Sequence, residues 1–177
     1  MGRVSQAQAE ENRRQVVASA ARLFRERGVQ GVSVADLMAE AGLTHGGFYK
    51  RFASKEALVS EAVAQAFKDR EIGLDPADFV SGYLSAAHRD DPGDGCPAAG
   101  FGADVAREAP DSAARRAYTE GIESYARLLG GDLAAVSTLV GAIMLARATA
   151  GTGLSDEILA AARADLTARG VIPPPAA

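Results

Sequence analysis

The chain of 177 residues has no tryptophan, one cysteine and two histidines, and each scarcity removes a class of function. A single thiol, Cys96, cannot close an internal disulfide or build a cysteine cluster for zinc. His88 with Asp90, Asp91, Asp94 and Cys96 can be drawn as a metal site, but no second histidine or cysteine stands at ligand spacing, so no cofactor is expected. There is no glycine-rich phosphate loop after a strand pattern and no acid and base at a telling spacing, which leaves the requirements of an enzyme unmet. The uncharged stretch 133–146 is too short to span a bilayer, and no apolar targeting run opens the sequence. A cytoplasmic chain with no membrane partner is expected.

Lysine is scarce as well, yet two of the few present, Lys50 and Lys55, lie in one short segment. Residues 1–60 hold nine Lys+Arg against six Asp+Glu, a balance of +3, whereas the remainder carries −7. A basic head on an acidic body turns the head toward phosphate, and the modest overall charge of −4 argues against a purely electrostatic binder.

That basic segment reads as a helix-turn-helix. Ser33 is a good N-cap for a helix over 34–41, in which Val34, Leu37, Met38 and Ala41 fall at i, i+3, i+4 and i+7 and so share one face. Gly42 supplies the left-handed residue that ends it, Leu43 covers the corner, and Thr44 caps a second helix expected over 44–52. Helix, glycine turn and helix is the arrangement that lays the second helix in a major groove. His45-Gly46-Gly47 gives that helix a bare front edge. Two glycines cost roughly 1 kcal/mol each relative to alanine, and close approach to another surface is a reason to keep them. Phe48 and Phe52, four apart, anchor the helix inward and leave Tyr49 and Lys50 beside the groove. Ser54 caps the next helix, with Lys55 beside its opening backbone donors, a suitable place for phosphate. Upstream, 6–27 reads as a helix with Val16, Ala20, Leu23 and Phe24 on one face, and Arg3, Arg13 and Arg14 near its start are candidate phosphate contacts.

At these residues the chain resembles the tetracycline-repressor (TetR/AcrR) family of one-component regulators. The resemblance is carried by Leu23-Phe24-Arg25-Glu26-Arg27-Gly28, Ser33-Val34-Ala35-Asp36-Leu37, Ala41-Gly42-Leu43-Thr44, Gly47-Phe48-Tyr49, Phe52 and Lys55-Glu56-Ala57-Leu58, across the first third of the chain. It implies an all-α homodimer: an N-terminal three-helix helix-turn-helix domain over 8–70, joined by a connecting helix to a C-terminal ligand-binding and dimerisation domain over 76–170. It also implies phosphate contacts from Thr44, Tyr49 and Lys55 and base-edge contacts from His45 and the Gly46 backbone. Ser33, Gly47 and Lys50 complete the expected DNA surface. Gly47 stands where a polar side chain is common in the family, so specificity is expected to rest more on fit. The implied function is a repressor that binds a palindromic double-stranded operator as a homodimer and is released by a small organic inducer. The alternatives are an activator or a thiol-based redox sensor using Cys96.

Beyond the motif, a connecting helix is expected over 55–70, a break at Gly73-Leu74-Asp75-Pro76, and a helix over 76–87 capped by Asp75. The polar run 88–95 reads as a loop. A helix over 97–107 follows Cys96, whose thiol is either a small buried residue or a reactive group at a helix start. Tyr118, Ile122, Tyr125 and Leu129 form a stripe on a helix over 112–129. With Phe79, Tyr83, Phe101 and Met144, the first three of these are expected to wall an inducer pocket. The last two helices, 133–146 and one capped by Ser155, are expected to pair with their copies through Val136, Val140, Ile143, Arg147, Leu159, Ala162 and Leu166. Pro173-Pro174-Pro175 marks a frayed tail.

Overall fold

Side-chain caps set where most of the helices begin. In the structure, a computed structural model that describes residues 6–70 and 75–173, the Ser33 hydroxyl accepts from Asp36 N (3.1 Å) while the Asp36 carboxylate accepts from Ser33 N (2.8 Å). This reciprocal box opens α2 (Val34–Glu40). Ser54 opens α3 (Lys55–Lys68), Asp75 with Pro76 opens α4 (Pro76–Tyr83), and Ser112 opens α7 (Ala113–Leu128), each through its side-chain oxygen. The remaining helices are α1 (Gln6–Arg27), α5 (Ala86–Asp90), α6 (Pro97–Val105), α8 (Leu133–Ala148) and α9 (Gly153–Ala168). Among the described residues every regular element is helical. Arg3, the 73–74 part of the expected break and the 174–175 part of the tail lie outside them.

The head is a three-helix unit. Val16, Ala20, Leu23 and Phe24 of α1 are buried with Leu58, Ala62 and Val63 of α3, and Leu37 and Met38 of α2 close the core. The α3 helix then continues onto the body. Its Phe67 ring stacks edge-on against Tyr118 (5.7 Å) and Tyr125 (5.4 Å) of α7, and Gly121 makes this close approach possible: a Cβ there would lie 2.2 Å from the ring. Helices α8 and α9 pack side by side, joined where the buried Ser155 hydroxyl donates to Ala146 O (2.8 Å).

Three expectations are corrected. The second helix of the motif, expected over 44–52, is a single 3-10 turn, His45–Gly47, followed by turns ending in Arg51 N and Phe52 N bonded to Phe48 O. Gly46 and Gly47 together remove the propensity that would have carried an α-helix through. The helix expected over 76–87 stops at Tyr83, and Ser85 starts a new one by accepting from His88 N (3.1 Å), so the expected loop begins after Asp90. The last helix begins at Gly153 rather than after Ser155, whose hydroxyl is turned into the α8–α9 interface.

Candidate nucleic-acid interface and cavity

At the free edge of the head, Ser33, Thr44, His45, Gly46, Tyr49 and Lys50 are all exposed, Tyr49 to 69%. Phe48 and Phe52 are buried directly behind them, with the Tyr49 ring edge-on to Phe48 at 5.1 Å. The buried pair fixes the segment while Tyr49 and Lys50 face outward. Gly47 is half-buried for a local reason: Arg51 folds back and its Nη1 donates to Gly47 O (2.7 Å), where a Cβ on Gly47 would crowd the same nitrogen. Arg13 braces the segment from α1. Its guanidinium lies 4.4 Å from the centre of the Phe52 ring, donates to Arg51 O and pairs with Glu61 of α3 (2.6 Å). Arg14 pairs with Glu11 on its own helix.

Lys55 is held differently from the other expected contacts. Its ammonium donates to Val29 O (2.6 Å), and the Val29 N–H in turn donates to Asp104 of α6 (3.0 Å). One residue, Val29, thereby joins the start of α3, the turn before α2 and a helix of the body.

In the body, a cavity of about 360 Å³ opens between α4, the 91–96 loop and α7. Of the residues expected to wall it, Phe79, Tyr83 and Tyr125 do so. Phe101 is fully buried in the core, Tyr118 donates its hydroxyl to Ala98 O (2.8 Å), Ile122 is half-buried against the core, and Met144 is exposed on α8. Among the walls not expected in the pocket are Arg70, Asp78, Ser85, His88, Asp91, Asp94 and Cys96. His88 is fixed by both nitrogens: Cys96 N–H donates to Nε2 (2.8 Å), leaving Nδ1–H to donate to Tyr83 O (2.7 Å). Burial, reinforced by Arg147 and Arg70, pushes its pKa down to about 4. Burial also raises the pKa of the Tyr83 and Tyr125 phenols, so both stay protonated. Cys96 is buried, its sulfur 3.9 Å from the Tyr125 hydroxyl, which places the thiol away from solvent.

Of the residues expected to join two copies, Val136, Ile143, Leu159, Ala162 and Leu166 are buried within one chain, and Val140 is half-buried. Arg147 turns inward and donates to His88 O (2.8 Å) and Arg89 O (3.1 Å). The exposed large apolar residues of the two helices are instead Leu133, Met144, Leu145 and Leu154.

A helix-turn-helix head carried on a helical body is the architecture of one-component transcriptional regulators. Residues 16–62 match the family described as bacterial regulatory proteins, tetR family. Solved structures of the same fold include a TetR-family transcriptional regulator from Agrobacterium tumefaciens (TM-score 0.70, 17% identity, 90% of this chain and 98% of that one). They also include one from Cytophaga hutchinsonii (TM-score 0.69, 23% identity, 98% and 100%) and RolR in complex with resorcinol (TM-score 0.54, 23% identity, 98% and 98%). Compared by sequence with curated proteins, the chain has no match. Residues 16–62 thus carry the N-terminal domain of the tetR family, and the chain as a whole shares the fold of solved TetR-family regulators.

Proposed function

We propose that the chain is a cytoplasmic repressor that binds a palindromic operator as a homodimer and leaves it when a small organic molecule enters the C-terminal cavity. The observation that carries this reading is the free edge of the head, where His45, Gly46, Tyr49 and Lys50 stand exposed over a buried aromatic anchor. A bare glycine edge admits close approach to a duplex. His45 then reaches base edges, Thr44, Tyr49 and Lys50 meet phosphates, and Lys55 serves through the turn it holds. Pairing of α8 and α9 with their copies through Leu133, Met144, Leu145 and Leu154 sets two heads apart by a helical repeat, about 34–36 Å for successive major grooves.

Release is conformational. The 91–96 loop walls the cavity with Asp91, Asp94 and Cys96, and between them Gly93 O accepts from Arg25 of α1 (2.7 Å). A ligand that shifts this loop shifts α1, and the spacing of the heads changes with no DNA contact removed. Such coupling is typically about 1–3 kcal/mol and is reciprocal, so operator DNA weakens ligand binding by the same factor. RolR, of the same fold, is solved with resorcinol, which supports a small aromatic effector as the kind of molecule to try.

Footprinting on the DNA upstream of the chain's own coding sequence, with transcription measured with and without the protein, tests the reading. A protected palindrome and reduced transcription are expected; an unprotected promoter rejects it.

A further inference from the structure

The turn behind the exposed edge lacks one helical bond, and a side chain makes it instead. In an α-helix the amide of Arg51 would donate to Gly47 O, four residues back. Here Arg51 N donates to Phe48 O (2.8 Å), as does Phe52 N (3.0 Å), so Gly47 O is left without its backbone donor. The Arg51 guanidinium takes that place, its Nη1 donating to Gly47 O at 2.7 Å. One residue thus withdraws its amide from the carbonyl and restores a donor through its side chain.

The seat exists only because position 47 is glycine. A Cβ there would lie 2.7 Å from Nη1 and 3.5 Å from Cε of the buried Met38, so the guanidinium stands behind the turn, in the space where a side chain at 47 would begin. Its Nε is buried without a partner, and Arg13 of α1 donates to the Arg51 carbonyl (3.3 Å). With Nη1 given to the backbone and Nε enclosed, the fork has lost the bidentate geometry with which arginine grips phosphate. Two consecutive glycines leave the backbone many shapes, and a fixed carbonyl at their end removes most of that freedom before any partner arrives. Resting on the reading of this edge as the DNA-reading surface, we infer that Arg51 is a positioning residue: by pinning Gly47 O it fixes the Gly46–Gly47 backbone in the shape that lets His45 and Gly46 select a base sequence, and it touches no phosphate itself.

Titration of the full chain with the palindrome protected upstream of its own coding sequence, and with the same duplex after its bases are shuffled, tests this. Arg51→Met should lower the ratio of the two affinities about tenfold and leave the slope of log affinity against log salt unchanged. Gly47→Ala, which keeps the cation but takes its seat, should lower the ratio by a similar factor. Arg51→Lys, still able to donate to Gly47 O, should recover most of it. The double variant Gly47→Ala/Arg51→Met should do no worse than either single one, because both remove the same bond. A slope reduced by about one, additive losses or an unaltered ratio overturns the inference. Gly47→Ala leaves Arg51 in the chain, so the test stands even if Arg51→Met misfolds. The same pair of substitutions followed by urea unfolding needs no DNA and separates the two readings. A protected promoter with additive effects on unfolding removes the pinning and keeps the repressor. An unprotected promoter with non-additive effects removes the repressor and keeps the pinned turn.

Discussion

His88 is bonded at both ring nitrogens in a form that has no room for a second proton, and this has a measurable cost in acid. Its pKa is about 4 in the folded chain against 6.5 for an ordinary histidine. The unfolded chain therefore binds more protons between those values, and the stability contributed by neutral His88 is complete above pH 6.5 and lost as pH falls through 4. Denaturant unfolding at pH 7 and pH 5 should differ by about 2 kcal/mol, and His88→Gln should flatten that difference. An equal pH dependence in the variant would remove His88 from the account. In the sequence this histidine sits in a polar run that reads as a loop, because its partners, Tyr83 O and Cys96 N, are five and eight residues away and follow no helical spacing. The exposed residues of the motif were legible for the opposite reason. Thr44, His45, Tyr49 and Lys50 are placed by the left-handed turn at Gly42 and by the Phe48–Phe52 spacing, which a linear reading captures, although the expected Thr44 side-chain cap does not form. The backward fold of Arg51 onto Gly47 was not, since a long side chain leaves no mark on periodicity.

At the level of elements, the starts of α2, α3 and α4 were readable because Ser33, Ser54 and Asp75 each satisfy backbone donors of the next turn. Which face of α8 and α9 turns inward was not readable. The apolar residues of α8 surround most of the helix, so sequence alone could not separate Val136 and Ile143, packed inside the chain, from Leu145, exposed outside it. The contact between α3 and α7 makes the sharpest demand on a single position. Alanine normally favours a helix interior over glycine by about 1 kcal/mol, yet at 121 the added methyl meets the buried Phe67 ring. Gly121→Ala should destabilise the chain by about 1–2 kcal/mol net in urea unfolding. A gain in stability would mean that the two helices are free to separate.

For the molecule as a whole, the basic balance and the exposed apolar residues of α8 and α9 lie on separate surfaces. The head holds the positive balance and the body the negative one, so DNA affinity should fall with salt by a slope of about one for each of the few basic side chains that reach a phosphate. Lys50 is exposed and distant from the core, and Lys50→Ala should lower the slope of log affinity against log salt by about one while leaving thermal unfolding unchanged. An unaltered slope would take Lys50 off the duplex. Leu145 is 58% exposed on α8, and Leu145→Glu should yield monomers in sedimentation with the helix content intact. Dimers of that variant would move the pairing surface elsewhere.

The Val29 backbone works like an axle pin. Its amide hydrogen is gripped by Asp104 and its oxygen by Lys55, so the helix-turn-helix head cannot tilt on the trunk without either drawing both grips along or letting one go. Motion at the far end is therefore expected to arrive in a step rather than by gradual bending, and the choice of which grip yields first is written in those two side chains.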